Sequence, residues 1–373
     1  MTPMVIDIGA ARIGLDDVFA RMPFRFGVVT VEAVVAATLE LDLRVDGVPV
    51  KGYASEILAY KWFDKRPEKT PADNVADLLS ILNDAVTRAA GLPPGNIFTL
   101  WRTLDTQMRA AAQGQGKGQG HNALMAGYGT SMVERAMLDG AGRARGQSLW
   151  TLLTDGTTGL APAAIFPELA GMMPGAALPA APLSKVAIRH TVGMLDPIDD
   201  ADLARADRRN DGLSETLEDY LLRDGIRYLK VKIAGEATSD LNRLRRIAGL
   251  LDRVAHPVSL TLDGNEQFRS LDGFASFMES VRADPALERL CAAILFVEQP
   301  IERATALSAP LDPRAMEVIG LPLLIDESDD APDAFARAIT LGYRGVSHKN
   351  CKGVFRSVMN AMLAHHHSAH APA

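Results

Sequence analysis

Short apolar runs alternate with amphipathic stretches through the second half of the chain, and this alternation restricts the fold more than any other feature. Runs of strand length lie at 186–192, 228–233, 258–262, 294–297, 321–325 and 345–349. Strands that alternate with helices pair in parallel and are joined by right-handed crossovers. An open dinucleotide-binding sheet would carry G-x-G-x-x-G after its first strand, and none is present there, so we predict a (β/α) barrel.

Polar residues stand at the carboxyl ends of five of these runs, which is where barrel enzymes carry their catalytic groups. In chain order they are Lys230 and Lys232, Asp263 and Asn265, Glu298 and Gln299, Asp326 and Glu327, and Lys349. Side chains alternate between the two faces of a strand. Leu262 and Val297 are expected to face the helices, and so Asp263 and Glu298 should point into the barrel.

The inward carboxylates of Asp263, Glu298 and Asp326 predict a metal site. Three like charges on neighbouring strands repel one another, and a divalent cation removes that repulsion. Carboxylate oxygens with open positions for water and substrate favour Mg²⁺. The sequence leaves open the alternative that each carboxylate forms an ion pair with a lysine.

Two lysines are predicted to act as the acid and the base. Lys232 and Lys349 come from the second and sixth strands, on either side of the strands that carry the carboxylates. Lys230 lies two residues before Lys232 on the same face, and its charge should disfavour a proton on Lys232. A lysine with a lowered pKa can serve as a general base near neutral pH. The alternative for Lys230 is a simple ion pair inside the barrel.

The first part of the chain reads as a separate α+β unit. Its predicted elements are a hairpin of 28–43 with 48–53, a glycine-rich loop at 114–120, and helices at 76–90 and within 123–153. We assign 1–157 to a capping domain, 158–184 to a linker rich in Gly, Ala and Pro, and 185–373 to a TIM-type barrel. Segments 14–25 and 55–70 of the cap are predicted to be mobile loops that select the substrate.

The ordered set of motifs K-x-K, D-x-N, E-Q-P and D-E-S, followed by a lysine on the sixth strand, resembles the enolase superfamily. The likeness is to the mandelate racemase and muconate lactonizing enzyme family, in its muconate lactonizing enzyme-like subgroup. Residues 22–27 and 131–142 resemble the opening strand of that family and its helix before the barrel. The resemblance implies Mg²⁺ on Asp263, Glu298 and Asp326, with Lys232 and Lys349 as the acid/base pair. It also implies that Asn265, Gln299 and Glu327 orient these groups through hydrogen bonds.

The same resemblance implies two β/α units beyond the sixth strand. The sequence ends about 24 residues after Lys349. We therefore expect an enolase-type barrel in which strands 1 to 6 are visible and strands 7 and 8 are absent, and a full gene product that extends beyond Ala373.

The activity implied by the family is removal of the proton α to the carboxylate of a small substrate, with Mg²⁺ stabilising the enediolate. Racemisation or epimerisation, or cycloisomerisation, is the expected outcome, and β-elimination by an acid-sugar dehydratase is the alternative. A catalytically inactive homologue or assembly protein is a second alternative. An enzyme that forms a Schiff base on Lys232 is a third, which the carboxylates disfavour.

Charge and cysteine content restrict the partners and the compartment. The formal net charge is -7 and no long basic run occurs, which argues against nucleic acid and anionic membranes as partners. Cys291 and Cys351 form no C-x-x-C pair, and two thiols in 373 residues are typical of a reducing compartment. No apolar stretch approaches the roughly 20 residues of a membrane span. We expect a cytoplasmic homo-oligomer.

Overall fold

The fold is described from a computed structural model, which covers residues 2–27, 29–114, 122–204 and 207–370. The predicted glycine-rich loop at 114–120 falls outside the described residues from position 115 onwards. The strands are β1 Ile6–Phe26, β2 Val29–Val45, β3 Val48–Ile57, β4 Arg189–Val192, β5 Tyr228–Lys232, β6 Ser259–Asp263, β7 Ile294–Glu298, β8 Leu323–Ile325 and β9 Gly345–Val346.

Helices precede and separate the strands of the second half. They are α1 Pro71–Ala90, α2 Ile97–Gly114, α3 Ala123–Arg145, α4 Leu149–Thr154, α5 Leu217–Leu222, α6 Ala237–Leu251, α7 Leu271–Ala283, α8 Glu288–Ala293, α9 Arg303–Ala306, α10 Pro313–Ile319, α11 Ala334–Thr340 and α12 Val354–Ala369. Within the described ranges, no helix is both long enough and apolar enough to cross a membrane.

Strands β1 to β3 form an antiparallel sheet that packs on α3, and together with α1 to α4 they are called the cap below. The predicted hairpin of β2 and β3 is confirmed, and its two-residue turn uses positive φ angles at Asp46 and Gly47. Alternate residues of β2 are buried, as a sheet with one covered face requires. Gly52 lets α3 approach closely, because a Cβ there would lie 2.0 Å from the carbonyl oxygen of Ala136.

The segment 14–25, predicted as a mobile loop, is a strand instead. It continues β1 and pairs with β2, from Gly14 opposite Thr38 to Arg25 opposite Thr30, with an irregularity between Phe19 and Phe24. The prediction was wrong because the acidic and proline-containing sequence of this segment does not alternate. Backbone pairing along the length of β2 holds it in place, and its end contacts the residues after β4, where the Met194 N–H donates to the Arg25 carbonyl over 3.0 Å.

Strands β4 to β9 form one parallel sheet in which each strand pairs with the next in sequence. The register sets Lys232 beside Asp263, and Asp263 beside Glu298. Leu229, Val231, Leu260 and Val297 are buried on the face opposite to that of the charged residues. Strand β9 ends sooner than predicted because the chain turns into the 3₁₀ segment Asn350–Lys352.

The cap and the sheet meet where α3 contacts the start of α12. Gly353, which precedes α12, has no side chain to cap it, and Glu134 of α3 supplies the missing acceptor. The Phe355 N–H donates to Glu134 Oε1 over 2.6 Å. Gly353 has a φ of 98°, and a Cβ there would lie 2.4 Å from Glu134 Oε2, so only glycine fits.

Candidate active site

Three carboxylates lie side by side at the carboxyl ends of neighbouring strands. Asp263 ends β6, Glu298 ends β7, and Asp326 directly follows β8. All three are fully buried. Their position follows from the parallel pairing of the strands, which brings successive carboxyl ends to one edge of the sheet. The sequence prediction of one acidic cluster therefore matches the arrangement of these residues.

Lysine side chains connect the three carboxylates. Lys230 Nζ lies 2.7 Å from Asp263 Oδ2 and 2.6 Å from Glu298 Oε1. Lys232 Nζ donates to Asp263 Oδ2 over 2.6 Å, and Lys349 Nζ donates to Asp326 and lies 3.7 Å from Glu298 Oε1. Each carboxylate thus has a lysine partner, which is the alternative that the sequence left open. The ion pair considered for Lys230 is present.

Burial and charge shift the pKa values of these lysines in different directions. Burial lowers the pKa of Lys232, and the charge of Lys230 lowers it further, although Asp263 acts against both. Burial would also lower the pKa of Lys230, but Asp263 and Glu298 outweigh it and raise that pKa. Burial would lower the pKa of Lys349 too, but Asp326 and Glu298 outweigh burial and raise that pKa. Lys232 is therefore the lysine that most readily gives up its proton.

The described residues include no group of three or more His, Cys, Asp or Glu side chains that could hold a metal ion as they stand. Lysine nitrogens lie between the carboxylates and supply positive charge there. The donor set nevertheless fits Mg²⁺, because it offers buried carboxylate oxygens from three strands. Glu298 Oε2 is buried and makes no hydrogen bond, and the charged group paired with it is Arg189, whose Nη2 lies 3.7 Å away. Lysine has a flexible four-carbon stem, so the present positions of the ammonium groups do not fix the donor set.

Of the residues predicted to orient these groups, Gln299 and Asn265 contact them directly, and Glu327 contacts Asn265. Gln299 Oε1 accepts from the Asp326 N–H over 2.8 Å, and Gln299 Nε2 donates to Ser328 Oγ over 2.8 Å. Asn265 Oδ1 accepts from Lys232 Nζ over 2.5 Å, and its Nδ2 donates to Glu327 Oε1 over 3.2 Å. Asn265 and Gln299 both have positive φ, a conformation that costs energy outside glycine and concentrates at functional sites.

Lys352 was missed by the sequence reasoning. Its fully buried ammonium group donates to the Asp326 carbonyl over 2.6 Å, to Asp326 Oδ1 over 3.0 Å and to the Ser347 carbonyl over 2.7 Å. It fixes the backbone and the side chain of Asp326 at once. The available signal was its position three residues after Lys349, in the run Lys349-Asn350-Cys351-Lys352.

A cavity of about 490 Å³ opens beside the carboxylate cluster. Lys230, Lys232, Lys349 and Asn265 line it from the sheet. Aromatic rings of the cap lie over Lys232 and Lys349. Lys232 Nζ lies 5.7 Å from the centre of the Phe26 ring, and Lys349 Nζ lies 5.0 Å from the centre of the Trp62 ring. The two predicted acid/base groups therefore face one cavity, and the ammonium group of each contacts an aromatic ring of the cap.

A partly buried ion pair holds the cap segment that carries Trp62. Arg303 donates to the Trp62 carbonyl over 2.9 Å and to the Phe63 carbonyl over 3.0 Å. The other edge of its guanidinium group binds Glu266 with two bonds of 2.7 Å. Lys65, from the same cap segment, pairs with Glu266 at 2.5 Å. The segment is tied to the loops that follow β6 and β7, and sequence reasoning gave no indication of this contact.

Comparison by sequence gives no relative, since no family model matches the chain and a search of the curated proteins finds no match. Solved structures do match. The chain is similar to the L-Ala-D/L-Glu epimerase from Bacillus subtilis, with a TM-score of 0.58, 17% identity, and coverage of 95% of this chain and 79% of that chain. It is also similar to the muconate lactonizing enzyme from Pseudomonas fluorescens, with a TM-score of 0.60, 17% identity, and coverage of 97% and 78%.

A third similar structure is an enolase from Bradyrhizobium in complex with magnesium and mandelic acid. Its TM-score is 0.61 at 16% identity, with coverage of 96% of this chain and 79% of that chain. The chain therefore has the α/β fold of the enolase superfamily, of the mandelate racemase and muconate lactonizing type, with an N-terminal cap. The predicted resemblance is confirmed at the level of the fold.

Proposed function

We propose that this protein removes the proton α to the carboxylate of a small substrate in a Mg²⁺-dependent reaction. The observation that carries the proposal is the placement of Lys232 and Lys349, which contact different carboxylates of the cluster and line the same cavity. A substrate in that cavity would meet one amine from the side of β5 and the other from the side of β9. The fold, shared with an epimerase and a muconate lactonizing enzyme, supports this chemistry.

The proposed cofactor would be held by Asp263, Glu298 and Asp326. When bound, Mg²⁺ supplies the positive charge that stabilises an enediolate. Lys230 and Lys349 would have to withdraw their ammonium groups from between the carboxylates. A nearby cation also lowers the pKa of a lysine, which would deepen the shift already present at Lys232.

In the proposed reaction, a neutral lysine takes the α proton and the second lysine returns a proton to the opposite face. We assign Lys232 the role of the readier base in the resting protein, since its pKa is already lowered. Two amines that face one cavity support racemisation or epimerisation first, and cycloisomerisation second. The acid-sugar dehydratase alternative would need only one of them.

A non-catalytic role is the competing hypothesis, and one observation favours it. The lysines already pair with the carboxylates, so the cluster is compensated without a metal. An assembly protein that had kept the fold but lost its reaction could be stable in this state.

Solvent exchange separates the two hypotheses. Candidate carboxylic acids are incubated with the protein in D₂O with Mg²⁺ or with EDTA, and incorporation of deuterium at the α carbon is followed by proton NMR. Our proposal predicts exchange with Mg²⁺ that stops in EDTA and returns when Mg²⁺ is added in excess. Exchange that is unchanged in EDTA would refute the metal assignment, and the absence of exchange across the whole panel would favour the non-catalytic role.

A further inference from the structure

The part of the cavity wall supplied by the cap is mostly apolar. It is formed by Phe24 and Phe26 from β1, Val34 from β2, and Tyr60 and Trp62 from the segment after β3. Phe24 and Phe26 lie with their ring centres 5.8 Å apart. These residues come from three separate parts of the cap and converge on one space. An apolar substrate group placed there would be removed from water on several sides.

Charge on the cap side of the cavity is restricted to one residue. Among the described residues that line it, Glu56 is the single charged group that the cap contributes. Glu56 Oε2 lies 3.3 Å from Arg135 Nη2, so its charge is already compensated. Burial also raises the pKa of Glu56, which weakens its attraction for a cation. The cap therefore offers no cation for a second acidic group of a substrate and no uncommitted anion for an ammonium group.

Neutral hydrogen-bonding side chains are a minority of the described cavity lining, and Asn265 among them is already committed. The side chain of Asn265 is used on both ends, by Lys232 and by Glu327. On the cap side, the Tyr60 hydroxyl lies 3.5 Å from the Ala33 carbonyl, at the limit of a hydrogen bond, and the buried Trp62 Nε1 has no hydrogen-bond partner. These two groups are few for a substrate with many hydroxyl groups. A polyhydroxylated acid would bury several hydroxyl groups against aromatic and branched side chains, and unpaired buried hydroxyl groups are unfavourable.

We propose that the substrate of this site is an acid with a single carboxylate whose α carbon carries an apolar group, either aromatic or branched aliphatic. The carboxylate would lie at the lysine and carboxylate cluster, and the apolar group would lie between the rings of Phe24, Phe26, Tyr60 and Trp62. This inference rests on the proposed function and adds the substrate class to it. It places acid sugars and acids with a charged side chain outside the substrate range.

A series of N-acetylated amino acids tests the inference, because its members share one α-carbon environment and differ only in the side chain. The phenylalanine, leucine, alanine, serine and aspartate derivatives are titrated into the protein with Mg²⁺ by calorimetry, and α-deuterium exchange is measured on the same samples. A hydrophobic pocket discriminates by roughly 10- to 200-fold per missing group of methylene size. We expect the phenylalanine and leucine derivatives to bind at least about tenfold more tightly than the alanine and serine derivatives.

The outcomes for the substrate class and for the reaction can be told apart. Tight binding of the apolar derivatives without exchange would support the inference and count against the proposed reaction. Exchange that favours the serine or aspartate derivative would support the reaction and overturn the inference. Failure of every derivative to bind, or equal binding of all five, would overturn the inference as well.

Two phenylalanines on the same strand provide a matched pair of variants. Phe24 lines the cavity, whereas the side chain of Phe19 is 76% exposed and does not line it. Phe24→Ala should weaken binding of the phenylalanine derivative by about 10- to 100-fold and leave the alanine derivative unchanged. Phe19→Ala should leave both unchanged, and Phe24→Leu should recover most of the affinity. Equal effects of Phe24→Ala and Phe19→Ala on the phenylalanine derivative would contradict the proposed placement.

Discussion

The ammonium nitrogen of Lys349 lies 5.0 Å from the centre of the Trp62 ring, so a proposed catalytic group after β9 is covered by a side chain of the cap. The face of an indole ring attracts a cation, and the ring also keeps water away from the amine. Trp62 is held in turn through its carbonyl by Arg303, which follows β7. The order of the cap segment and the position of Lys349 are therefore linked.

Replacing Arg303 by lysine should loosen that segment. Lysine keeps the charge, but its single ammonium group cannot form two hydrogen bonds to Glu266 and also donate to the carbonyls of Trp62 and Phe63. Hydrogen bonds from a charged group contribute about 1.5–3 kcal/mol each, so the segment should open at least about tenfold more often. Amide hydrogen exchange of residues 59–66, followed by mass spectrometry, measures this opening. Arg253→Lys, at an exposed pair with Glu218, is the control, and equal exchange in both variants would count against the link.

Lys352→Met should destabilise the protein strongly. The substitution removes a fully buried cation from Asp326 and leaves the carbonyls of Asp326 and Ser347 without their donor. Breaking a buried ion pair on one side costs about 3–5 kcal/mol. Denaturant titration gives the change in the free energy of unfolding. Lys185→Met, at an exposed position, should change it by less than about 0.5 kcal/mol; a comparably small effect at Lys352 would contradict its structural role.

Glu134 should make stability depend on pH. Burial raises its pKa from 4.5 to about 8. The folded protein therefore retains a proton that the unfolded chain releases above pH 4.5, and this contribution to stability is lost as pH rises towards 8. Between these pH values the free energy of unfolding of the wild type should fall by up to about 1.4 kcal/mol per pH unit more than that of Glu134→Gln, whose amide cannot ionise. Denaturant titrations at pH 5, 6, 7 and 8 measure both proteins, with Glu168→Gln at an exposed position as the control. Parallel profiles for wild type and Glu134→Gln would show that this glutamate does not titrate in the window.

The metal assignment can be tested without any substrate. We expect the protein to bind one Mg²⁺ or Mn²⁺ ion, and Glu298→Gln to weaken that binding by at least about tenfold, or ~1.4 kcal/mol, because a neutral amide replaces one charged ligand. Calorimetric titration with each ion gives the affinities. Glu279→Gln, on the exposed side of α7, should bind as the wild type does. Unchanged binding in Glu298→Gln would remove this residue from the site.

Much of the carboxylate cluster could be predicted because it depends on strand pairing alone. Once β5, β6 and β7 are recognised, the parallel register brings Lys232, Asp263 and Glu298 to one edge. Lys352 and Arg303 could not be predicted in the same way. Their contacts depend on how the chain turns after a strand ends and on where the cap segment meets the sheet, and local patterns do not contain that information.

The cap was harder to predict for a related reason. Residues 14–25 do not alternate and were predicted as a mobile loop, although residues 22–27 resemble an opening strand. Pairing with β2 makes the whole segment part of β1, in agreement with that resemblance. Pairing between segments that are distant in the chain outweighs local propensity here. The pairing of each carboxylate with a lysine was foreseen only as an alternative, because charge balance in a buried cluster depends on which flexible side chains reach it.

The most direct test of the proposed two-base reaction uses single-lysine variants. Lys232→Arg and Lys349→Arg each keep the charge but remove one usable base. For an acid that the wild-type protein exchanges, each pure enantiomer is incubated in D₂O with each variant and with a Lys185→Arg control, and loss of the α-proton signal is followed by proton NMR. We predict that each variant exchanges one enantiomer roughly 10²–10⁴-fold more slowly and still exchanges the other. The enantiomer whose exchange is lost should be opposite in the two variants. Loss of both enantiomers in both variants, with the fold intact, would contradict the account.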